Sequence, residues 1–298
     1  MASKIMGDMT KNQPVYKRQR FLLEFLSRVN EDISSTELQK LVFLHAVVAD
    51  SNYYEFVPYK YGPYSFRLKE DLDILARDGF VAIERSKTAV RARVVNAVSS
   101  ESSFNIASER GDDLIRKVYR LDPYYTKNSE IIERLFSGAE KENFTRAKSS
   151  HKTSEQVLYT IGYEGRSIEG FANVLIRNEV AVLCDIRRNP ISRKFMFSKT
   201  QLEHVLKEVG IIYLHFPELG IESAKRRLIK EEAGYEALFE EYANRLSHSD
   251  LSVRQIADLL YKNHKIAIMC FESTAQACHR HVLSDRIVES CGVKTIDL

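Results

Sequence analysis

The chain of 298 residues has no tryptophan, only 12 glycines and 6 prolines, and a net charge of just +3. So little glycine and proline excludes a collagen-like or linker-dominated chain, and 44% apolar residues are enough to build real cores. The charge is balanced within each half. Residues 1–150 carry 24 Lys/Arg against 21 Asp/Glu, and the remainder carries 20 against 20. A polyanion partner therefore has no support from net charge and must be sought in local clusters. No stretch approaches the roughly 18–20 apolar residues that a membrane helix needs. The opening MASKIMGDMTKNQPVYKRQR lacks the apolar core of a signal peptide, so a cytoplasmic chain without membrane contact is expected. Four cysteines, Cys184, Cys270, Cys278 and Cys291, all lie in the second half and read as thiols rather than a disulfide framework.

What is present divides the chain into two domains. Residues 1–14 read as a flexible tail. Residues 15–139 begin with Phe21, Leu22, Phe25, Leu26 and Val29 at helical spacing. Glu37 stands three residues after Ser34, a capping box opening a second helix. After the loop YEFVPYKYGPYS comes a third helix near 64–77, stopped at Gly79. FVAIE (80–84) and AVRARVVNAV (89–98) alternate as a hairpin. Three helices and then a hairpin is the order of a winged helix. Arg85, Lys87, Arg91 and Arg93 stand where a wing meets a phosphate backbone, although a solvated charged hairpin fits the same residues. Tyr59, Tyr61 and Tyr64 read as a packing corner more readily than as a base-stacking platform. Residues 140–156 are polar and rich in Lys, Ser and Thr, which reads as a linker.

From residue 157 to 298 near-continuous apolar runs alternate with helical segments. That is an α/β pattern: a Rossmann-like, mostly parallel sheet with helices on both faces. Ligands of such sheets gather at the carboxyl ends of the strands, and the unusual residues of this chain are there. The first strand ends in TIGYEGRS, where Gly162 and Gly165 permit a tight turn and Ser167 can cap a helix whose N-terminus attracts anions. The second ends in CDIRRNPISRKFMFSK, with Asp185 among Arg187, Arg188, Arg193, Lys194 and Lys199, and with Pro190 and Ser192 keeping the segment out of helix. Arginine forks hold phosphate in bidentate fashion, and a merely soluble basic loop is the alternative. A later strand ends in MCFESTAQACHRHVL. By the strand period Cys270 and Glu272 point the same way, while Cys278, His279 and Arg280 open the next helix. A thiol beside Arg and His at a helix N-terminus is expected to be activated, and Glu272 can serve as general base or hold an arginine. Buried core cysteines are the competing reading. A metal is set aside because the spacing matches no closed site and adjacent helical residues point apart. No cofactor is assigned.

The motifs TIGYEGRS, CDIRRNPISR, YLHFPELG and CFES…CHR together resemble a bacterial and archaeal family labelled domain of unknown function 488, over residues 157–291. The resemblance carries Gly162, Tyr163, Gly165, Asp185, Arg187, Pro190, Ser192, Arg193, His215, Leu219, Gly220, Cys270, Glu272, Cys278, His279 and Arg280. The family usually has a second glycine where this chain has Ile221. The resemblance implies a Rossmann-like domain with a polar pocket and, for some members, a loose DNA-repair label without an assigned reaction. Residues 18–85 resemble winged-helix-like domains near the Panacea antitoxin and YwgA-type families, which accompany toxin–antitoxin and phage-defence systems.

Two functions follow as expectations. One is an enzyme processing a nucleic acid or nucleotide, with Tyr163, Gly165, Asp185, Arg187, Ser192, Arg193 and Arg280 binding the ligand or its phosphate and Cys270, Glu272, Cys278 and His279 acting on it. The other is a non-enzymatic DNA-binding regulator or sensor with a nucleotide-like ligand pocket. A redox or sulfur-transfer enzyme using the thiols is a third. The sequence leaves the oligomeric state open, a homodimer included.

Overall fold

The computed structural model describes residues 13–29, 31, 33–85, 90–94, 104, 106–149, 155–222, 232–246 and 250–298. The expected tail, up to residue 12, and Lys87 lie outside the described residues. The chain separates into two compact units, Met1–Ala147 and Lys148–Leu298.

In the first unit α1 (Lys17–Val29) leads to β1 (Ile33–Ser34) and α2 (Ser35–Ala49). The capping box forms as the sequence suggests. Ser34 Oγ accepts from the Glu37 amide at 3.1 Å, and the Glu37 carboxylate accepts from the Ser34 amide at 2.9 Å. The tyrosine-rich segment expected to be a loop is instead a hairpin, β2 (Val57–Tyr59) and β3 (Gly62–Tyr64). Gly62, at φ +101°, takes a turn conformation that side chains avoid. Tyr59 and Tyr64 stack across the hairpin at 4.5 Å, so these two rings pack on each other as expected. Next come α3 (Phe66–Arg77), β4 (Val81–Arg85) and β5 (Val90–Val94). The order β1-β5-β4 makes a three-stranded antiparallel sheet. Arg85, Arg91 and Arg93 are positions on its β4–β5 hairpin.

The unit continues with α4 (Gly111–Leu121), the single turn α5 (Ile132–Leu135) and α6 (Gly138–Ser149). Helix α6 occupies part of the segment whose composition suggested a linker. Its one large apolar residue, Phe144, is buried against Phe136 and Tyr119, which suffices to fold the polar helix onto the core.

The second unit is a five-stranded, all-parallel sheet. Its strands are β6 (Val157–Gly162), β7 (Val182–Asp185), β8 (Ile212–His215), β9 (Lys265–Cys270) and β10 (Lys294–Asp297), in the order β10-β6-β9-β7-β8. They alternate with α7 (Ile168–Arg177), α8 (Lys199–Glu208), α9 (Glu232–Leu246), α10 (Asp250–Asn263) and α11 (Arg280–Cys291), which flank the sheet. Every residue of β6 is buried, as a strand covered on both faces requires. Leu158, Cys184, Ile266 and Ile268 pack against Tyr242, Leu246, Ile256, Leu260, Leu283 and Ile287 of α9, α10 and α11. The chain leaves β7 toward β8 at one edge and leaves β9 toward β10 at the other. Their carboxyl ends therefore flank a topological switch point. Register levels Gly162 with Cys270, and Asp185 with Met269 and His215, so the motifs distant in sequence meet at one sheet edge.

Candidate functional site

At the end of β7, Asp185 is fully buried and Arg187, two residues later, is only 4% exposed. The Arg187 side chain folds back on its neighbour. Nε donates to both carboxylate oxygens of Asp185 at 2.9 and 3.0 Å, and Nη2 donates to Oδ2 at 2.5 Å. Nη1 donates to the Tyr163 hydroxyl at 3.1 Å and to the Phe197 carbonyl at 2.9 Å. The Tyr213 hydroxyl donates to the same carboxylate at 2.6 Å. Burial works against the Arg187 charge, but the bonds and charge of Asp185 raise its pKa further above the usual range. Burial, then the adjacent carboxylate, likewise pushes the Tyr213 phenol up. Tyr163 lies stacked on Phe197, with centroids 4.4 Å apart. His215 donates from Nε2 to the Arg187 carbonyl at 2.8 Å, which fixes its tautomer, since a carbonyl only accepts.

A second buried arginine braces the end of β9. Arg280 is 1% exposed. It donates to the Thr160 hydroxyl at 3.2 Å, to the Glu272 carbonyl, and to the Ser273 carbonyl at 2.8 Å. Thr160 in turn donates to Asp297 at 2.5 Å. Gly162 is required beside this loop, because a Cβ there would stand 1.7 Å from the Glu272 carbonyl oxygen. Gly220 is required for the same reason. Its Cβ would stand 2.2 Å from the Arg188 amide nitrogen. Gly165 takes φ +75°, the left-handed turn expected of it, and Ser167 caps α7 by accepting from the Gly170 amide at 2.8 Å.

The loop from Cys270 to Arg280 brings a third group together. Cys270, Cys278 and His279 are 0%, 2% and 2% exposed. His279 Nδ1 lies 4.0 Å from Cys270 Sγ and 3.7 Å from Cys278 Sγ, and the three donor atoms all fall within 4.8 Å of one another. The premise that adjacent Cys278 and His279 point apart on a helix is thus corrected. Helix α11 begins only at Arg280, and the turn before it directs both side chains toward Cys270. These are residue types that hold a soft or borderline metal. Their burial does not suit an exposed nucleophile: the bond with Cys278, then burial, pushes the Cys270 thiol pKa well up. Glu272 remains half-buried at the loop mouth.

Of the cations expected to hold a ligand, Arg187 and Arg280 are thus committed to bonds within the chain. Arg193 is exposed, and among the described residues no hydrogen bond or ion pair holds it. Lys194 donates to the Tyr163 carbonyl at 2.7 Å, with its pKa lowered by burial. The charge of Glu164 opposes that shift and Arg166 adds to it, so Lys194 stands between an acid and a base. Arg188 is exposed and reaches the Pro217 carbonyl at 3.3 Å. Ser192 shapes the loop: its hydroxyl accepts from the Lys194 amide at 3.1 Å and its amide donates to Ser198 at 3.0 Å. Sequence reasoning did not single out Phe197, Tyr213, Tyr242 or Thr160. Their residue types carry no signal until the fold brings them to these partners, Thr160 and Tyr213 from strands, Tyr242 from α9 and Phe197 from the loop before α8. Tyr242 meets His279 edge to face at 5.1 Å and donates to the Leu219 carbonyl at 2.8 Å.

Neither the curated proteins nor the solved structures hold a significant match to this chain. Residues 167–287, which include Asp185, Arg187, Cys270, Cys278, His279 and Arg280, match the model of a family described as Domain of unknown function DUF488.

Proposed function

We propose that the chain handles a nucleic acid or nucleotide, holding phosphate at the carboxyl edge of the parallel sheet and processing the bound molecule with Glu272 as acid–base group. The observation that carries the reading is the division of labour among the cations. Arg187 and Arg280 bond the edge from within, while Arg193, exposed and without a partner among the described residues, stands next to Lys194 in the same loop. A loop that presents one unpaired arginine fork, Arg193, at a switch point favours a phosphorylated ligand. Glu272 supports chemistry there because it is the expected acid–base residue that the fold leaves half open.

A specific observation favours a second reading, that of a DNA-binding regulator. The helices α1, α2 and α3 precede a β4–β5 hairpin that pairs with β1, which supports a winged-helix domain with Arg85, Arg91 and Arg93 on its wing.

One experiment separates the two. Binding of labelled single- and double-stranded DNA and RNA is measured at about 50 and about 200 mM salt for wild type and for Arg188→Ala/Arg193→Ala. The edge reading expects weaker binding by the variant and a salt slope reduced by about one for each phosphate that the variant no longer neutralises. Binding unchanged in the variant moves the interaction to the first unit and favours the regulator. Absence of binding to polynucleotides and to mononucleotides alike refutes both.

A further inference from the structure

We propose that Cys270, Cys278 and His279 form a metal site, with zinc as the fitting ion, bound by two thiolates and one imidazole. The proposal is independent of the phosphate reading and stands on different atoms.

The geometry points to it first. An ion about 2.3 Å from each sulfur and about 2.0–2.1 Å from the nitrogen, with tetrahedral angles, sets sulfur and nitrogen roughly 3.6 Å apart and the two sulfurs roughly 3.8 Å apart. The separations here are 3.7 and 4.0 Å from His279 Nδ1, with all three atoms inside 4.8 Å. Small side-chain rotations close the remainder.

The second argument concerns the imidazole. As a plain core group His279 is expensive. It is 2% exposed, its Nε2 has no hydrogen-bond partner among the described residues, and Nδ1 meets only two sulfurs at weak hydrogen-bond distance. A metal bond at Nδ1 gives the ring a strong partner in place of two weak contacts, with Tyr242 packed edge to face against it. Charge agrees as well. Two thiolates and one divalent cation sum to zero, and a neutral cluster can be buried where three separate polar groups are costly. A disulfide between the two cysteines would leave His279 unexplained.

The third argument is preorganisation. Cys270 ends β9 and Cys278 lies across a tight loop. Arg280 clamps that loop through the Glu272 and Ser273 carbonyls, and Gly162 lets the strand approach its backbone. The buried arginine thus positions metal donors. On binding, two thiol protons leave to solvent as two metal–sulfur bonds form, and the metal–nitrogen bond uses the Nδ1 lone pair. Three protein donors leave a fourth position for water or a substrate atom, the pattern of reactive rather than closed sites.

The test takes the full chain, reduced and stripped with chelator, and titrates it with Co²⁺ and then Zn²⁺. We expect one Co²⁺ per chain, with intense thiolate-to-cobalt charge-transfer absorption that one Zn²⁺ abolishes. Cys270→Ser and Cys278→Ser each diminish that absorption, whereas Cys184→Ser and Cys291→Ser retain it. His279→Gln weakens Co²⁺ binding by more than the roughly 10–100-fold that outer-shell changes cost. Because the wild-type titration needs no variant, it decides the matter even if a serine variant does not fold. Folded wild-type protein showing no charge-transfer absorption overturns the proposal, as does absorption that survives in the Cys270→Ser/Cys278→Ser chain. A Cys270–Cys278 disulfide in the isolated protein, with neither ion bound after reduction, overturns it in favour of a redox pair.

Discussion

Replacing Arg187 and Arg193 in turn exposes the difference between an arginine that bonds within the chain and one that faces solvent. In Arg187→Ala the fully buried Asp185 loses three side-chain hydrogen bonds, and the Tyr163 hydroxyl and Phe197 carbonyl each lose a donor. The carboxylate keeps the Tyr213 hydroxyl at 2.6 Å and the backbone amide of residue 187 at 3.0 Å, which do not neutralise its charge. Removing one partner of a buried pair costs about 3–5 kcal/mol, because an uncompensated charge stays behind. Asp185→Asn/Arg187→Ala should therefore be more stable than Arg187→Ala alone, and the double-mutant cycle should show coupling of about 1–3 kcal/mol. Arg193→Ala touches an exposed, unpaired side chain and should stay within about 0.5 kcal/mol of wild type. The assay is urea unfolding followed by far-UV circular dichroism, since the chain offers no tryptophan to report by fluorescence. Arg187→Ala unfolding within about 0.5 kcal/mol of wild type would refute the account of Arg187 as a buried strut.

Other expected outcomes follow from single features. Lys40 is buried, donates to the Pro63 carbonyl at 3.2 Å, and has its pKa pulled down by burial to about 7. Between pH 7 and its usual 10.5 the unfolded chain binds a proton that the folded chain does not, so Lys40 adds stability as pH rises through that window. The difference in stability between wild type and Lys40→Met, measured by urea unfolding, should shift by roughly 3–4 kcal/mol in favour of wild type from about pH 7 to about pH 10. A pH-independent difference rejects a neutral buried amine. Gly162→Ala must displace the Glu272 carbonyl. It should lower stability by more than about 2 kcal/mol and weaken Co²⁺ binding, while Gly165→Ala meets only the strain of its positive φ, about 1 kcal/mol. Equal losses from the two substitutions would contradict the close approach at Gly162.

The alternation of buried apolar runs with helical segments determined the second unit without further help. A short continuous run such as VLYTIG, β-branched and closed by glycine, suits a doubly covered strand, and each expected strand is present within a few residues. Local signals were legible for the same reason of short range: the Ser34–Glu37 box and the Ser167 cap involve atoms three residues apart. Local composition missed the hairpin in the tyrosine-rich segment, which the cross-strand stacking of Tyr59 on Tyr64 accompanies. In the polar segment after residue 140, Phe144 packs on Phe136 within α6, and the division between the two units falls just beyond it. The sequence also placed its charged and thiol residues at the carboxyl edge, because strand ends are visible as apolar runs stopping at charge. Which way those residues face is not a property of sequence spacing. Strand register and the turn before α11 decided that Arg187 and Arg280 bond inward, that Arg193 faces water, and that Cys270, Cys278 and His279 converge. The partners lie from two residues away, as Asp185 from Arg187, to 120 away, as Thr160 from Arg280, and only the packed fold sets the side-chain directions that join them.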